Sequence, residues 1–340
     1  MAVITYHQSD SLFSRLERVS GYNYLVGDPT RITATEADYF TTPDFIRFYG
    51  TDFTYDVTRH FSGGVINRIL IVGFRGLEIT GLNVSAARFT ELAPFDAQLR
   101  AELLAGDDTF IALDAHDTIR GYGGNDSISA AAGNDDVDGG AGSDTVSGGA
   151  GADRITDSGG GANYLRGDDG DDFISGGFDF DDINGNMGND TAQGGLGQDW
   201  VVGGKDNDSL SGGADYDLVY GNLGADTCYG DEGNDIIRGG QDNDVVRGGD
   251  GDDYVSGDRG DDTMTGDAGA DTFHSFGEAG VDRVTDFNQA QGDRVQLDPG
   301  TQYTLAQVGA DTVISMTGGG QMILVGVQLS TVTPGWIFGF

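Results

Sequence analysis

From Leu103 to His274 an apolar residue recurs every nine positions and is flanked on both sides by mostly polar or small residues. The recurring positions are Phe110, Ile119, Ile128, Val137, Val146, Ile155, Leu165, Ile174, Ile183, Ala192, Val201, Leu210, Val219, Cys228, Ile237, Val246, Val255, Met264 and Phe273. An isolated apolar residue between two outward-facing ones is the signature of a three-residue strand, in which alternate side chains face opposite ways. Glycines cluster four to seven positions before most of these residues, as in Gly139-Gly140-Ala141-Gly142 before Val146, and permit tight turns that other residues resist. The pattern predicts an all-β array of strand-plus-turn units, each apolar residue stacking on the units above and below.

The template is G-G-x-G-x-D-x-U-x, with U apolar. Residues 103–156 hold six units, 157–166 form a ten-residue unit, and 167–274 hold twelve more, nineteen in all. The sixth position is Asp108, Asp117, Asp126, Asp135, Asp144 and Asp153, then Asn163. It resumes as Asp172, Asp181, Asp190, Asp199, Asp208, Asp217, Asp226, Asp235, Asp244, Asp253, Asp262 and Asp271. In Asp179, Asp206, Asp215 and Asp242 an aspartate replaces the fourth-position glycine, which predicts either a distorted turn or an added ligand.

The flanks differ in kind. Residues 1–102 are rich in aromatics and read as a β-rich capping module. Strands are expected at Ala2–Tyr6, Phe45–Tyr49, Phe53–Tyr55 and Val65–Val72, with helices after Ser9, over Ala86–Leu92, and from Pro94 to Leu104. A solenoid end exposes apolar core and open strand edges, so a cap is needed there. Residues 275–340 continue the Asp-x-U pattern at longer steps, through Asp282, Asp293 and Asp311, and read as a β cap.

Charge sharpens this picture. The chain has a formal net charge of −38, and 38 of its 56 acidic residues but only 7 of its 18 basic ones lie in 103–274. Such an array repels itself unless counter-ions neutralise it, and nucleic acid is excluded as a partner. Fixed-phase carboxylates beside turns whose carbonyls are free make a set of hard oxygen donors, which suits Ca²⁺ better than Mg²⁺. The single cysteine, Cys228, occupies an apolar position and reads as core. No stretch is long and apolar enough for a transmembrane helix, and the start lacks the basic and apolar regions of a cleavable signal peptide.

The nonapeptide resembles that of the RTX (repeats-in-toxin, hemolysin-type calcium-binding) family. The resemblance implies a right-handed parallel β-roll with two nonapeptides per eighteen-residue coil. It implies Ca²⁺ ions held between units n and n+2 by the eighteen sixth-position aspartates, at most 17 sites for nineteen units. It further implies export by a type I (ABC transporter) system through an uncleaved C-terminal signal, which would place the protein outside the cell or on its surface.

Stacking at eighteen residues also predicts two unlike faces. One carries Trp200, Leu218, Ile236 and Tyr254, with Val202 and Tyr220 beside them, and the other shows Thr191, Ser209, Thr227, Val245 and Thr263. An apolar stripe of this size marks a contact surface, with self-association or docking of another part of the chain the expected use. Neither H-E-x-x-H nor G-x-S-x-G occurs, and His7, His60, His116 and His274 are scattered. The function expected is a calcium-folded structural, matrix, surface-layer or adhesive component. The alternative is an enzyme acting on an extracellular polymer through residues 1–102.

Overall fold

The protein is described here by a computed structural model covering residues 3–4, 36–41, 44–55, 61–72, 77–85, 106–112 and 116–339, with side chains from 106 onward. The helices expected after Ser9, over Ala86–Leu92 and from Pro94, like His7 and His60, lie outside the described residues. The chain divides into two compact units, Met1–Gly159 and Gly160–Phe340. The division falls within the ten-residue unit, the one place where the nine-residue phase slips.

Both units carry parallel β-solenoid, and the spacing of paired residues is eighteen, so two nonapeptides make each coil. In the first unit, Thr145, Val146 and Ser147 pair with Ser127, Ile128 and Ser129, and these with Thr109, Phe110 and Ile111. Strands Thr118–Arg120, Asp136–Asp138 and Arg154–Thr156 form the facing ladder. Val3–Ile4 extends the first ladder by pairing with Thr109 and Phe110. A separate four-stranded antiparallel sheet runs Glu36–Thr41, Asp44–Tyr55, Phe61–Val72 and Leu77–Ser85. The sequence indicated its two middle strands; Glu36–Thr41 and Leu77–Ser85 lack a clear alternation and were not expected.

In the second unit one ladder runs from Asn163–Asp169 through Trp200–Lys205, Ile236–Gln241 and Tyr254–Arg259 to Arg294–Leu297 and Ile337–Phe338. The facing ladder runs from Phe173–Phe178 to Val281–Val284 and Gln321–Leu324, then turns antiparallel into Asp311–Met316 and Tyr303–Val308. Most strands here are six residues, not three, because pairing resumes at positions two and three of the following unit after skipping its first glycine. Trp200–Lys205 shows it: Val202 pairs with Tyr220, Gly203 is passed over, and Gly204 pairs with Asn222.

Every eighth-position side chain is buried, from Phe110 to Phe273, and from Val137 onward all are fully so. Each apolar side chain removed from water contributes about 1.5–3 kcal/mol. Cys228 lies in this column as a small apolar residue, with burial pushing its thiol well above the usual range. Among the described residues the one helical turn is Leu329–Thr331, and no helix is long and apolar enough to cross a membrane.

Candidate metal centre

The column of sixth-position aspartates is as regular as the apolar core beside it. All eighteen of these aspartates are buried, none more than 5% exposed, although aspartate is seldom buried without a partner. Most are held by one repeated bond: the backbone N–H of an aspartate donates to Oδ1 of the aspartate one coil further on. In the first unit this links Asp108 to Asp126 and Asp126 to Asp144 on one edge, and Asp117 to Asp135 and Asp135 to Asp153 on the other. In the second it runs Asp172, Asp190, Asp208, Asp226, Asp244 and Asp262. The opposite edge carries Asp181, Asp199, Asp217, Asp235, Asp253 and Asp271. These bonds are 2.7–3.0 Å long.

Oδ1 is thus accounted for in most of these aspartates. In Asp126, Asp135, Asp190, Asp199, Asp208, Asp217, Asp226, Asp235, Asp244, Asp253 and Asp271 the second oxygen is buried with no hydrogen-bond donor. A buried carboxylate oxygen left without a partner is costly, and a row of them is a donor set for a cation. The first-position glycine shows where that oxygen points. A Cβ at Gly203, Gly185 or Gly239 would overlap Oδ2 of Asp208, Asp190 or Asp244 in the same turn. At Gly221 and Gly194 it would also meet the carbonyl oxygen of Gly239 or Gly212 in the next coil. Carboxylate and carbonyl oxygens therefore converge over the bare Cα, a grouping of hard donors that fits Ca²⁺.

The second and fourth positions need glycine for another reason, a left-handed backbone. Gly140 and Gly142 have φ of 101° and 129°. Asp179, Asp206, Asp215 and Asp242 adopt φ of 65–81° at the fourth position, so these aspartates keep the turn geometry and do not distort it. Asp and Asn tolerate this region better than other side chains. Asn186, Asn222, Asp231 and Asp258 do the same at the second position.

Burial raises the carboxyl pKa values, with the aspartates in neighbouring coils adding to the effect in several cases and the N–H···Oδ1 bonds opposing it. Asp126 and Asp253 are pushed up to about 7, and Asp208, Asp217 and Asp244 to about 8. Coils are about 4.8 Å apart. Two ionised carboxylates at that spacing repel by about 3–4 kcal/mol at an effective dielectric of about 20. Without a cation, the row holds protons at a pH where isolated aspartates would not.

Three features extend what the nine-residue template indicated. Asp282 and Asp293 continue the two columns past Asp271, at 0% and 3% exposure, and Asp271 N–H donates to Asp293 Oδ1 at 3.1 Å. Gly277-Glu278-Ala279-Gly280-Val281-Asp282-Arg283-Val284 is a further unit, set off by two inserted residues that break the period and hide it. Position five carries a second, exposed ladder running the opposite way, in which each Asn or Asp Oδ1 accepts the N–H one coil further on. Ser143 N–H donates to Asn125, Asn207 to Asn189 and Ala225 to Asn207, at 2.8–3.1 Å. The recurring Asn or Asp at this position was its sequence signal. At the break in the aspartate column, Asn163 donates to Asp181 Oδ1 through both N–H and Nδ2, so an amide stands where a carboxylate would.

The apolar stripe has the expected register: Trp200 pairs with Leu218, Leu218 with Ile236 and Ile236 with Tyr254. Trp200 is 50% exposed and meets Phe180 edge-on, with ring centroids 5.8 Å apart. Val202 and Tyr220 pair beside it, and the next residue in that row is Arg238, which makes a two-pronged bond to Asp258.

Among solved structures, the chain is similar to the extracellular lipase LipA of Serratia marcescens at 17% identity and a TM-score of 0.23. That match covers 53% of this chain and 40% of the lipase. It is similar to the AlgE6R3 subunit of the Azotobacter vinelandii mannuronan C5-epimerase at 23% identity and a TM-score of 0.25, over 39% of this chain and 78% of that one. A third likeness is to a hyperactive, Ca²⁺-dependent, β-helical antifreeze protein from an Antarctic bacterium. There the identity is 19% and the TM-score 0.35, over 57% of this chain and 70% of that one. No curated protein matches. The model of the family described as RTX calcium-binding nonapeptide repeat (4 copies) matches in overlapping segments from residue 104 to residue 273, half of the chain. With its buried aspartate columns, glycine-lined turns and eighteen-residue coils, the chain belongs to the RTX calcium-binding nonapeptide repeat family.

Proposed function

We propose that this chain is a secreted structural protein whose repeat folds on meeting extracellular calcium and then serves in a matrix, surface layer or adhesive filament. The observation that carries this reading is the row of buried aspartate oxygens without hydrogen-bond donors. Those carboxylates resist burial together, so the folded coil is unfavourable until their charge is balanced. Bound Ca²⁺ would supply that balance, and its binding free energy would become folding free energy. The eighteen sixth-position aspartates would hold the ions between alternate units, on the edges where Oδ2 and the first-position carbonyls converge.

Extracellular modules of this kind are tuned to about 10⁻⁴–10⁻³ M calcium, far above cytosolic levels. A chain kept unfolded inside the cell remains threadable, which suits export by a type I ABC transporter through the C-terminal segment. Residues 1–102 would then act as the N-terminal cap and 275–340 as the C-terminal cap carrying the export signal. The stripe of Trp200, Leu218, Tyr220, Ile236 and Tyr254 would be the face through which copies associate once folded.

Circular dichroism tests the folding step. In chelator the repeat should be largely disordered and become β-rich on adding calcium; the same β-rich spectrum in both conditions would sink the proposal. Light scattering tests the association step. Trp200→Ser combined with Ile236→Ser should reduce the mass of the calcium-loaded assembly, and an unchanged mass would remove the stripe from it.

A further inference from the structure

The strand Tyr303–Val308 differs from the other strands of its sheet. It pairs antiparallel with Asp311–Met316 on one side and stands last in the strand order, so its other edge faces no strand among the described residues. All six of its residues are exposed. Tyr303, Leu305 and Val308 are 44%, 37% and 58% exposed. An open edge presents unpaired N–H and C=O groups, and proteins usually blunt such edges with lysine, proline, a bulge or an inward charge. This strand has none of these: its sequence is Tyr-Thr-Leu-Ala-Gln-Val, and its six pairs to Asp311–Met316 run without a register shift.

The edge is also held in place. Gln307 Oε1 accepts the N–H of Leu329 at 2.7 Å, and its Nε2 donates to the carbonyl of Asp311 at 2.9 Å. Asp311 Oδ1 accepts the N–H of Gly326 at 2.8 Å, and Gln328 Nε2 donates to the carbonyl of Ala310 at 3.1 Å. These bonds fix the closed end of the hairpin and leave the long edge open. A pre-ordered edge gives up little conformational freedom on pairing.

Charge identifies the occupant. Residues 299–310 contain no charged side chain, in a chain whose net charge is −38. Two copies approaching by almost any other face bring carboxylates together, whereas here they do not. An antiparallel edge is moreover its own complement under a two-fold axis, the commonest symmetry of soluble oligomers. We infer that Tyr303–Val308 pairs with the same strand of a second copy of this chain, antiparallel, joining two sheets end to end. A two-fold passing beside Leu305 or Ala306 keeps Tyr303, Leu305 and Gln307 of both copies on one face and Thr304, Ala306 and Val308 on the other. Six residues of edge bury far less than the ~1,200–2,000 Å² of a stable interface, so the dimer forms in a concentration-dependent way. This contact is separate from the Trp200–Tyr254 stripe and does not rest on it.

The experiment is sedimentation velocity on the calcium-loaded full chain, in a Trp200→Ser/Ile236→Ser background that removes the stripe. The background protein should pass from monomer to dimer with rising concentration. Leu305→Lys and, separately, Leu305→Pro, at a residue whose N–H faces the open edge because the bonded pairs of the hairpin fall on Gln302, Thr304, Ala306 and Val308, should weaken that dimer at least tenfold while the circular dichroism spectrum in calcium stays the same. If Leu305→Pro alters the spectrum, Leu305→Lys alone decides. A background protein that remains monomeric at every concentration overturns the inference, and so does a dimer that survives Leu305→Lys.

Discussion

At the scale of the residue, the first-position glycine is the most demanding position in the repeat. Its backbone angle is ordinary, unlike those of Gly140 and Gly142. It must be glycine because the carboxylate of the same turn occupies the space a Cβ would fill. Gly203→Ala should therefore displace Asp208 and cost about 1–3 kcal/mol of stability in calcium, within the range for a buried polar group forced from its place. Gly106→Ala, where a Cβ meets nothing within 4 Å, is the control and should be near neutral. Thermal melts in saturating calcium compare the two; equal melting temperatures would show that the carboxylate does not need that space. The fourth-position aspartates teach the complementary lesson. They replace glycine without disturbing the turn, because what that position needs is a left-handed φ and not an empty volume.

At the scale of the element, the unit of construction is a pair of edges, each a column of carboxylates beside a column of apolar side chains. One column has an internal break at Asn163, which uses its amide to bond Asp181. Asn163→Asp would continue the column at the cost of that donor and of a new repulsion with Asp181. The variant should be less stable than the parent in chelator and should bind one more calcium ion. Isothermal titration reads the count; an unchanged stoichiometry would mean that the break lies in the backbone of the ten-residue unit and not in its side chain. Much of this scale was legible in the sequence. The eighteen aspartates, the apolar column and the stripe register followed from strict phase, because in a solenoid a fixed period translates directly into a column. Asp282 and Asp293 were visible only as longer steps, because insertions of two residues break the period without breaking the stack.

At the scale of the whole molecule, the carboxyl columns make stability depend on pH as well as on calcium. Asp208, Asp217 and Asp244 have folded-state pKa values of about 8, against 3.8 when unperturbed. Between about pH 4 and pH 8 the folded chain thus binds more protons than the unfolded one. By linkage, folding without calcium becomes less favourable as pH rises through that window and is most favourable at its acid end. Protons and calcium compete for the same oxygens, so calcium affinity should rise over the same interval. Chain stripped of metal by a chelating resin should hold more β-structure at pH 5 than at pH 8, and the calcium midpoint should be lower at pH 8. A midpoint independent of pH would show that the aspartates titrate without regard to the cation.

What the sequence by itself determined is the part of the protein built by repetition: the all-β class, the buried apolar column, the aspartate column and the uneven charge, while the eighteen-residue coil was implied by the family resemblance. Each depends on local phase alone, because a side chain's neighbours in a coil are set by counting along the chain. What the tertiary structure decided is where counting fails. The repeated bond from an aspartate N–H to the next coil's Oδ1 and the convergence of Oδ2 with a carbonyl over the first glycine are contacts between coils. The opposed ladder of position-five amides is another. The open edge at Tyr303–Val308 arises because the last sheet turns antiparallel, a change of strand direction that the nine-residue phase cannot encode.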